Sequence, residues 1–370
     1  LNVPGAIACV VVQPAKSRRE RLNPSEGLLV SSSMGRTKAR FNTLLGLAHD
    51  ARLGTALAFR LSYSLRRRIR VKEAREGLRR RLEQRAANLL TVAKTAVYAN
   101  QDSPFRRLLE LAGCEWGDLV QLVEREGVEG ALTELYRNGV YLTVDEFKGR
   151  VPAVRGSATV PTGTDLLRNP LAGTHVLARS SGSRSAGTTT AFDLRFVRDC
   201  AANASLVLAA RGGEAWLKAD WEGHGGGAAF RLMKYAMFGS DPDAWFIRVE
   251  PSGKWYHNSY ALNAEFMRWG SRLGGVRIPP PVYVSHEDPL PIVEWMAATL
   301  RAGKTPHLFG FVSSCVRICQ RSLDLGIDLE GARFTVGGEP FTAARQSVFR
   351  RAGTDVQPRY GSIETGAIGY

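Results

Sequence analysis

The sequence lacks any apolar run near the ~18 residues that a membrane-spanning helix needs. The nearest, Leu53 to Leu65, is broken by Arg60 and runs into Arg66. No signal peptide is visible, and the chain opens on Leu1, so an upstream segment is expected to be missing and a cytoplasmic location is expected. Cysteine is scarce. Cys9, Cys114, Cys200, Cys315 and Cys319 are odd in number and irregular in spacing, which argues against a disulfide framework. Cys315 and Cys319 stand one helical turn apart with no further pair of ligands to complete a zinc site, so buried thiols in a reducing compartment are expected. Of the six histidines (His49, His175, His224, His257, His286 and His307), no two have the i, i+4 spacing of a metal pair. There is no internal repeat, no low-complexity tract, and no Gly-x-Ser-x-Gly elbow with a supporting triad, which counts against a hydrolase.

Acidic residues are short in one region only. Of the net charge of +15, residues 1–110 hold +14, from 22 Lys and Arg against 8 Asp and Glu. The organisation tracks this asymmetry. Residues 1–35 are poorly defined. Residues 36–150 read as a basic helical region, with a long helical pattern from Lys38 to about Val97 and shorter ones at Pro104–Ala112, Trp116–Arg125 and Gly130–Tyr136. Thr143 with Glu146 three residues on has the spacing of a capping box. The runs Arg66-Arg67-Arg68-Ile69-Arg70 and Arg79-Arg80-Arg81 suit an anionic partner, but no aromatic residues are interleaved among them. A solvated helix face offset by Glu73, Glu76 and Glu83 is the favoured reading, and nucleic acid is not expected as a partner.

After residue 150 glycine and β-branched residues rise. Strands are expected at Thr174–Ala178, Ser205–Ala209, Val282–Ser285, Phe309–Val312, Ala332–Val336 and Val356–Arg359. Helices are expected at Ala191–Ala202, Asn258–Leu273, Pro289–Ala302, Cys315–Leu325 and Thr342–Arg351. This alternation predicts an α/β fold, with mainly parallel sheets covered by helices and a helical N-terminal extension. Residues 151–370 form its α/β domain.

Three loops carry chemistry. Arg179 to Thr190 is rich in Ser, Thr and Gly after an expected strand. Small residues let backbone N–H groups approach an anion, and Arg184 adds a charge, so this is a phosphate-cradle candidate with a flexible Ser/Gly linker as the equal alternative. It is not the G-x-x-x-x-G-K-[ST] loop, since no Lys follows Gly187. Thr335-Val336-Gly337-Gly338-Glu339-Pro340 ends one strand, with Pro340 and Thr342 opening the next helix. Arg359-Tyr360-Gly361-Ser362-Ile363-Glu364 follows another strand, and Glu364 offers a hard oxygen ligand for Mg²⁺. In an open parallel sheet, the last two loops would share the ligand-binding edge. Gly223-His224-Gly225-Gly226-Gly227 reads as a flexible loop, with a lid role as the sharper alternative. Phe309 to Ser314 is a candidate pocket wall.

Together these loops resemble the adenylate-forming superfamily of acyl-CoA synthetases and adenylation domains, nearest to its phenylacetate–coenzyme A ligase branch, over roughly residues 85–370. The resemblance implies a nucleotide-binding large domain layered αβαβα, cut before a small C-terminal domain. It also implies an ATP-dependent ligase that forms an acyl-adenylate from a carboxylic acid and passes the acyl group to coenzyme A or a carrier thiol. It assigns Ser180, Ser181, Gly182, Ser183, Gly187 and Thr188 to nucleotide binding and Arg184 to the phosphates. It places Gly337, Gly338, Glu339, Pro340, Tyr360, Gly361 and Ser362 around the nucleotide, and gives Mg²⁺ to Glu364. The sequence departs from the family pattern at Arg184-Ser185-Ala186, which intervene before Gly187, and at Ile363, where the family has a hydroxyl residue. Rival readings are a basic nucleic-acid-binding protein acting through residues 36–85, and a degenerate adenylation fold serving a partner interaction.

Overall fold

The computed structural model describes residues 54–167, 176–179, 189–222, 226–250, 258–362 and 365–370. Its helices before residue 150 are α1 (54–66), α2 (Val71–Glu83), α3 (Arg85–Val92), α4 (Pro104–Leu111), α5 (Trp116–Arg137) and α6 (Val144–Phe147), with a π-helical turn at Ala93–Tyr98 after α3. α5 kinks at Gly127, whose φ of 69° only glycine takes without strain. The expected capping box opens α6: the Glu146 N–H donates to the Thr143 hydroxyl, and the Thr143 N–H donates to the Glu146 carboxylate. A hairpin of β1 (Ala153–Arg155) and β2 (Ala158–Val160) comes next.

The centre of the α/β part is a six-stranded, wholly parallel sheet. Its strands are β5 (Leu217–Glu222), β6 (Pro242–Ile247), β7 (Pro281–Tyr283), β8 (Pro306–Phe311), β9 (Arg333–Gly337) and β10 (Asp355–Pro358), in the order β10-β9-β8-β5-β6-β7. The chain winds outward from β5 to β7, returns to the middle at β8, and winds outward the other way. The order therefore reverses between β5 and β8, the doubly wound arrangement. The other sheets among the described residues are two-stranded: β1–β2, β3 (Val176–Arg179) with β4 (Thr189–Phe192), and β11 (Tyr360–Ser362) with β12 (Gly366–Gly369).

Helices cover both faces of the sheet. On one face Trp245 and Ile247 pack with α1, α7 (Leu194–Ala210), α8 (Gly226–Met237) and Met267 of α9 (Asn258–Leu273). On the other, Ala219, Trp221, Phe246, Leu308, Phe334 and Val336 meet α10 (Leu290–Arg301), α11 (Val312–Leu325) and α12 (Ala343–Arg351). A third core joins residues of α3, α4 and α5 to Ala153 and Val160. The basic helices thus divide: Leu57, Leu61, Leu65, Ile69 and Ala74 belong to the sheet's core, while Leu89 onward builds its own. Among the described residues, no helix is long and apolar enough to cross a membrane.

One expectation fails outright. Ser205–Ala209 is not a strand but the last turns of α7. Its short apolar run Leu206-Val207-Leu208 is part of a helix with a buried stripe, Val197, Ala201, Ala204, Ser205 and Leu208, at i, i+4, i+7 spacing. The glycine-rich segment expected as a loop also ends earlier than expected: Gly226 and Gly227 already belong to α8, while 223–225 lie outside the described residues.

Candidate functional site

The segments leaving β5, β6, β8, β9 and β10 build the carboxyl edge of the sheet. β9 ends at Gly337, and Gly338 turns the chain with φ of 77°. A Cβ at Gly338 would meet the Phe311 ring at 2.6 Å, and one at Gly337 would come within 3.0 Å of the Arg359 carbonyl oxygen. Packing alone therefore demands both glycines. The next residue, Glu339, reaches across to α11. Its carboxylate accepts from the Ser313 N–H (2.7 Å) and hydroxyl (2.8 Å), with Arg345 3.6 Å away. A carboxylate on the first turn of a helix is favoured by the helix dipole. Pro340 lies ahead of α12: the N-cap is Thr342, whose hydroxyl accepts from the Arg345 N–H, and the Pro340 carbonyl accepts from the Arg345 guanidinium (2.7 Å). Pro340 is thus outside the helix and not near its first position, as the sequence suggested.

β10 runs parallel to β9, and the Arg359 N–H donates to the Val336 carbonyl (2.7 Å). The chain then enters the β11–β12 hairpin. Tyr360 is 73% exposed. Gly361 must be glycine, because a Cβ there would lie 2.3 Å from the Gly366 carbonyl oxygen. The Ser362 hydroxyl is spent inside the hairpin, 2.9 Å from the Thr365 hydroxyl and accepting from the Thr365 N–H. Ile363 and Glu364 lie outside the described residues, as do Ser180, Ser181, Gly182, Ser183, Arg184, Gly187 and Thr188. The segment holding the latter joins two antiparallel strands, β3 and β4, so it leaves a separate hairpin and not a strand of the large sheet that leads into a helix.

Beneath this edge lies a charged cluster that sequence reasoning missed. Along β5, Ala219 and Trp221 face α10–α12, while Lys218, Asp220 and Glu222 alternate onto the α8 side. Arg231 of α8 is held by both acids, bonding Asp220 through Nε and Nη2 and Glu222 through Nη2 at 2.5 Å. Burial pushes the Asp220 carboxyl up, and Arg231 opposes that rise. Burial likewise opposes charge on Arg231, and the two acids outweigh it, raising its pKa. The guanidinium also sits 4.6 Å from the Phe309 ring centre. Arg248, just after β6, donates to the Ser314 hydroxyl (3.3 Å) and lies over Phe311 at 4.7 Å. Phe309 and Phe311, expected as a pocket wall, are thus covered by arginines. A signal for this cluster was present in the sequence: two charges, Arg231 and Lys234, in the otherwise apolar stretch Ala228 to Met237, downstream of two acids that flank Trp221.

Among the described residues, no group of three or more His, Cys, Asp and Glu could hold a metal ion. Arg231 bonds both Asp220 and Glu222. No family model matches the chain. No curated protein matches it either.

Proposed function

We propose that this chain activates a carboxylic acid with ATP and Mg²⁺, forming an acyl-adenylate that is handed to a thiol such as coenzyme A or a carrier. One observation carries the reading. The Gly337–Pro340 and Tyr360–Ser362 segments leave the carboxyl ends of two neighbouring parallel strands, β9 and β10, on the edge where doubly wound sheets bind ligands. The exposed Tyr360 ring fits the flat face of a base. Gly337 and Gly338 bring backbone close to that edge without side chains in the way. In this reading Ser181, Gly182, Ser183 and Arg184 hold the phosphates, and Glu364 would hold Mg²⁺, whose chemistry is to neutralise the departing pyrophosphate. An oxygen of the acid forms a bond to the α-phosphorus as the bond to pyrophosphate breaks. A thiolate sulfur then bonds the acyl carbon, and AMP leaves. The protein contributes position and charge complementarity.

Calorimetry of the full chain with ATP and Mg²⁺ tests this. One-to-one binding is expected, lost in Glu364→Ala and weakened several-fold in Tyr360→Ala. Absence of ATP binding removes the reading. Carboxylate-dependent pyrophosphate exchange across a panel of acids would then name the substrate.

The strand order favours a second reading. It is the order of dinucleotide-binding sheets, and β5 is followed by Gly223-x-Gly225-x-x-Ala228, a G-x-G-x-x-A spacing, with Arg248 at the end of the second strand. The same titration run with NADP⁺ separates the two. Binding of the dinucleotide in place of ATP would make this an oxidoreductase sheet.

A further inference from the structure

α8 carries a second buried cation, Lys234, one turn beyond Arg231. It is only 6% exposed. Among the described residues it has no ion pair and no hydrogen bond within range, and the Phe230 ring lies 5.1 Å from it. Lys234 opens on a partly open cavity of about 250 Å³ lined by residues of α2, α3, α7, α8 and the β12 hairpin. Arg81 and Arg85 also line it, against one carboxylate, Asp199. Arg81 donates to the Asn203 side chain (2.7 Å) and stands 4.0 Å from Asp199, while Arg85 pairs with Glu129 away on α5. Leu82 and Phe196 supply apolar wall.

An ammonium group buried without a counter-charge is costly, so such a group either sheds its proton or takes an anion. The space beside Lys234 is too small for the ~300–1,000 Å³ of a drug-sized ligand and is walled in part by hydrocarbon. A bare phosphate would leave that hydrocarbon uncovered and would meet only one deeply buried donor. We propose that this cavity is a carboxylate site, in which Lys234 holds the head group of a small acid whose apolar body lies against Leu82 and Phe196. For the acid's later fate the proposal rests on the ATP reading above, naming the seat of the substrate; for its binding it needs no nucleotide.

Burial first, and then the neighbouring Arg359, pull the Lys234 ammonium down to about 7. The other groups facing it are Arg231 on its own helix, Asp220 from β5 and Cys200 from α7. Arg81, Arg85, Asp199 and, after β12, Tyr370 lie around the same cavity. A bound carboxylate favours the charged lysine. Binding is therefore tightest below about pH 7, and weakens as pH rises past the lysine's value in the complex.

The test is calorimetry of the full chain with benzoate in the absence of ATP, with benzamide and inorganic phosphate as comparison probes. One-to-one benzoate binding is expected, at least tenfold weaker in Lys234→Met and weaker at pH 9 than at pH 6.5, with benzamide at least tenfold weaker than benzoate. Reductive ¹³C-methylation of the wild-type lysines supplies a readout that needs no variant: the Lys234 signal should titrate at higher pH when benzoate is present. No benzoate binding, equal binding by Lys234→Met or by benzamide, phosphate displacing benzoate at equal concentration, or an unmoved Lys234 titration would each overturn the site. ATP binding without benzoate binding removes the site and leaves the nucleotide reading. Benzoate binding without ATP binding does the reverse.

Discussion

Arg231 and Lys234 stand one turn apart on α8, both buried, and they are opposites electrostatically. Arg231 has its counter-charges built in: Asp220, with a side chain fully out of solvent, and Glu222. Lys234 has none among the described residues. Paired burial of this kind is a structural device, since the acids and the guanidinium satisfy one another and fix α8 over β5. Unpaired burial opposes folding unless something arrives to complete it. The difference separates a charge kept for the fold from a charge left for a ligand, although the two residues share a helix and a face of the sheet.

Breaking the pair should give the largest effect. Arg231→Met strands one fully buried acid and one partly buried acid and is expected to cost about 3–5 kcal/mol in urea denaturation. The double variant Asp220→Leu with Arg231→Met should recover most of that loss, because the fully buried carboxylate goes with its partner. A single variant within about 1 kcal/mol of wild type would show that the cluster is not structural, and the contrast with Lys234 would collapse.

This cluster also marks where the sequence stops being readable. Strands β7 to β10 and the helices between them follow apolar runs and turn residues, and α9 spans Asn258–Leu273 as its periodicity predicts. Strands β5 and β6 were not foreseen. Leu217–Glu222 carries Lys218, Asp220 and Glu222, which look wrong for the centre of a parallel sheet. They are tolerated because Lys218 donates to the Glu214 carbonyl (2.8 Å) and the acids meet Arg231, partners that only the fold brings together. The basic run before α2 is solvent-exposed at Arg66, Arg67, Arg68 and Arg70, as expected, but its long-range partners were not legible for the same reason. Arg66 and Arg68 donate to the carbonyls of Leu273 and Gly275, and the Arg67 carbonyl accepts from Arg198. The exposed face thus also ties the helical lead-in to the α/β part. At the candidate site, the positions of the glycines and of Tyr360 were legible, because turn chemistry is local. The engagement of Glu339 by Ser313, twenty-six residues back in the chain, was not.

The second effect in size is a pH slope. Lys234 sits at about 7 in the folded chain, against an ordinary lysine value of 10.5. Between those values the unfolded chain binds one proton more than the folded one, so stability rises with pH there. The penalty for burying the lysine is absent above the unfolded value and grows to its full size as pH falls toward 7. Its slope is at most about 1.4 kcal/mol per pH unit. Lys234→Met should lack this slope, and below pH 7 it should be at least as stable as wild type, since it removes an unpaired charge. Parallel pH profiles for the two proteins would mean that Lys234 has a counter-charge, which removes the contrast with Arg231.

The smallest effect tests whether the cavity's positive character extends beyond Lys234. Arg81 is about one-third exposed and already shared between Asn203 and Asp199, so it contributes field and not a buried charge. Arg81→Gln should therefore change stability by roughly 0.5 kcal/mol or less. Its removal also deprives Asp199, the one carboxylate on the lining, of its nearest cation. Burial already raises the Asp199 carboxyl, and Arg81 is the first group holding it down. Losing that arginine should push it higher still. A carboxyl raised in the folded chain binds more protons there than in the unfolded one, so stability falls as pH rises past the unfolded value of about 3.9. That fall should be larger and extend to higher pH in the variant than in wild type. The same change subtracts one positive charge from the cavity and leaves a negative one unopposed. Benzoate affinity should drop about threefold in Arg81→Gln, and less so at raised salt, where the field of a partly exposed charge is screened. A drop as large as that of Lys234→Met would mean that Arg81, at the mouth of the cavity, shares the ligand's head group with Lys234, and that the partly exposed cation acts by direct contact and not through a screened field.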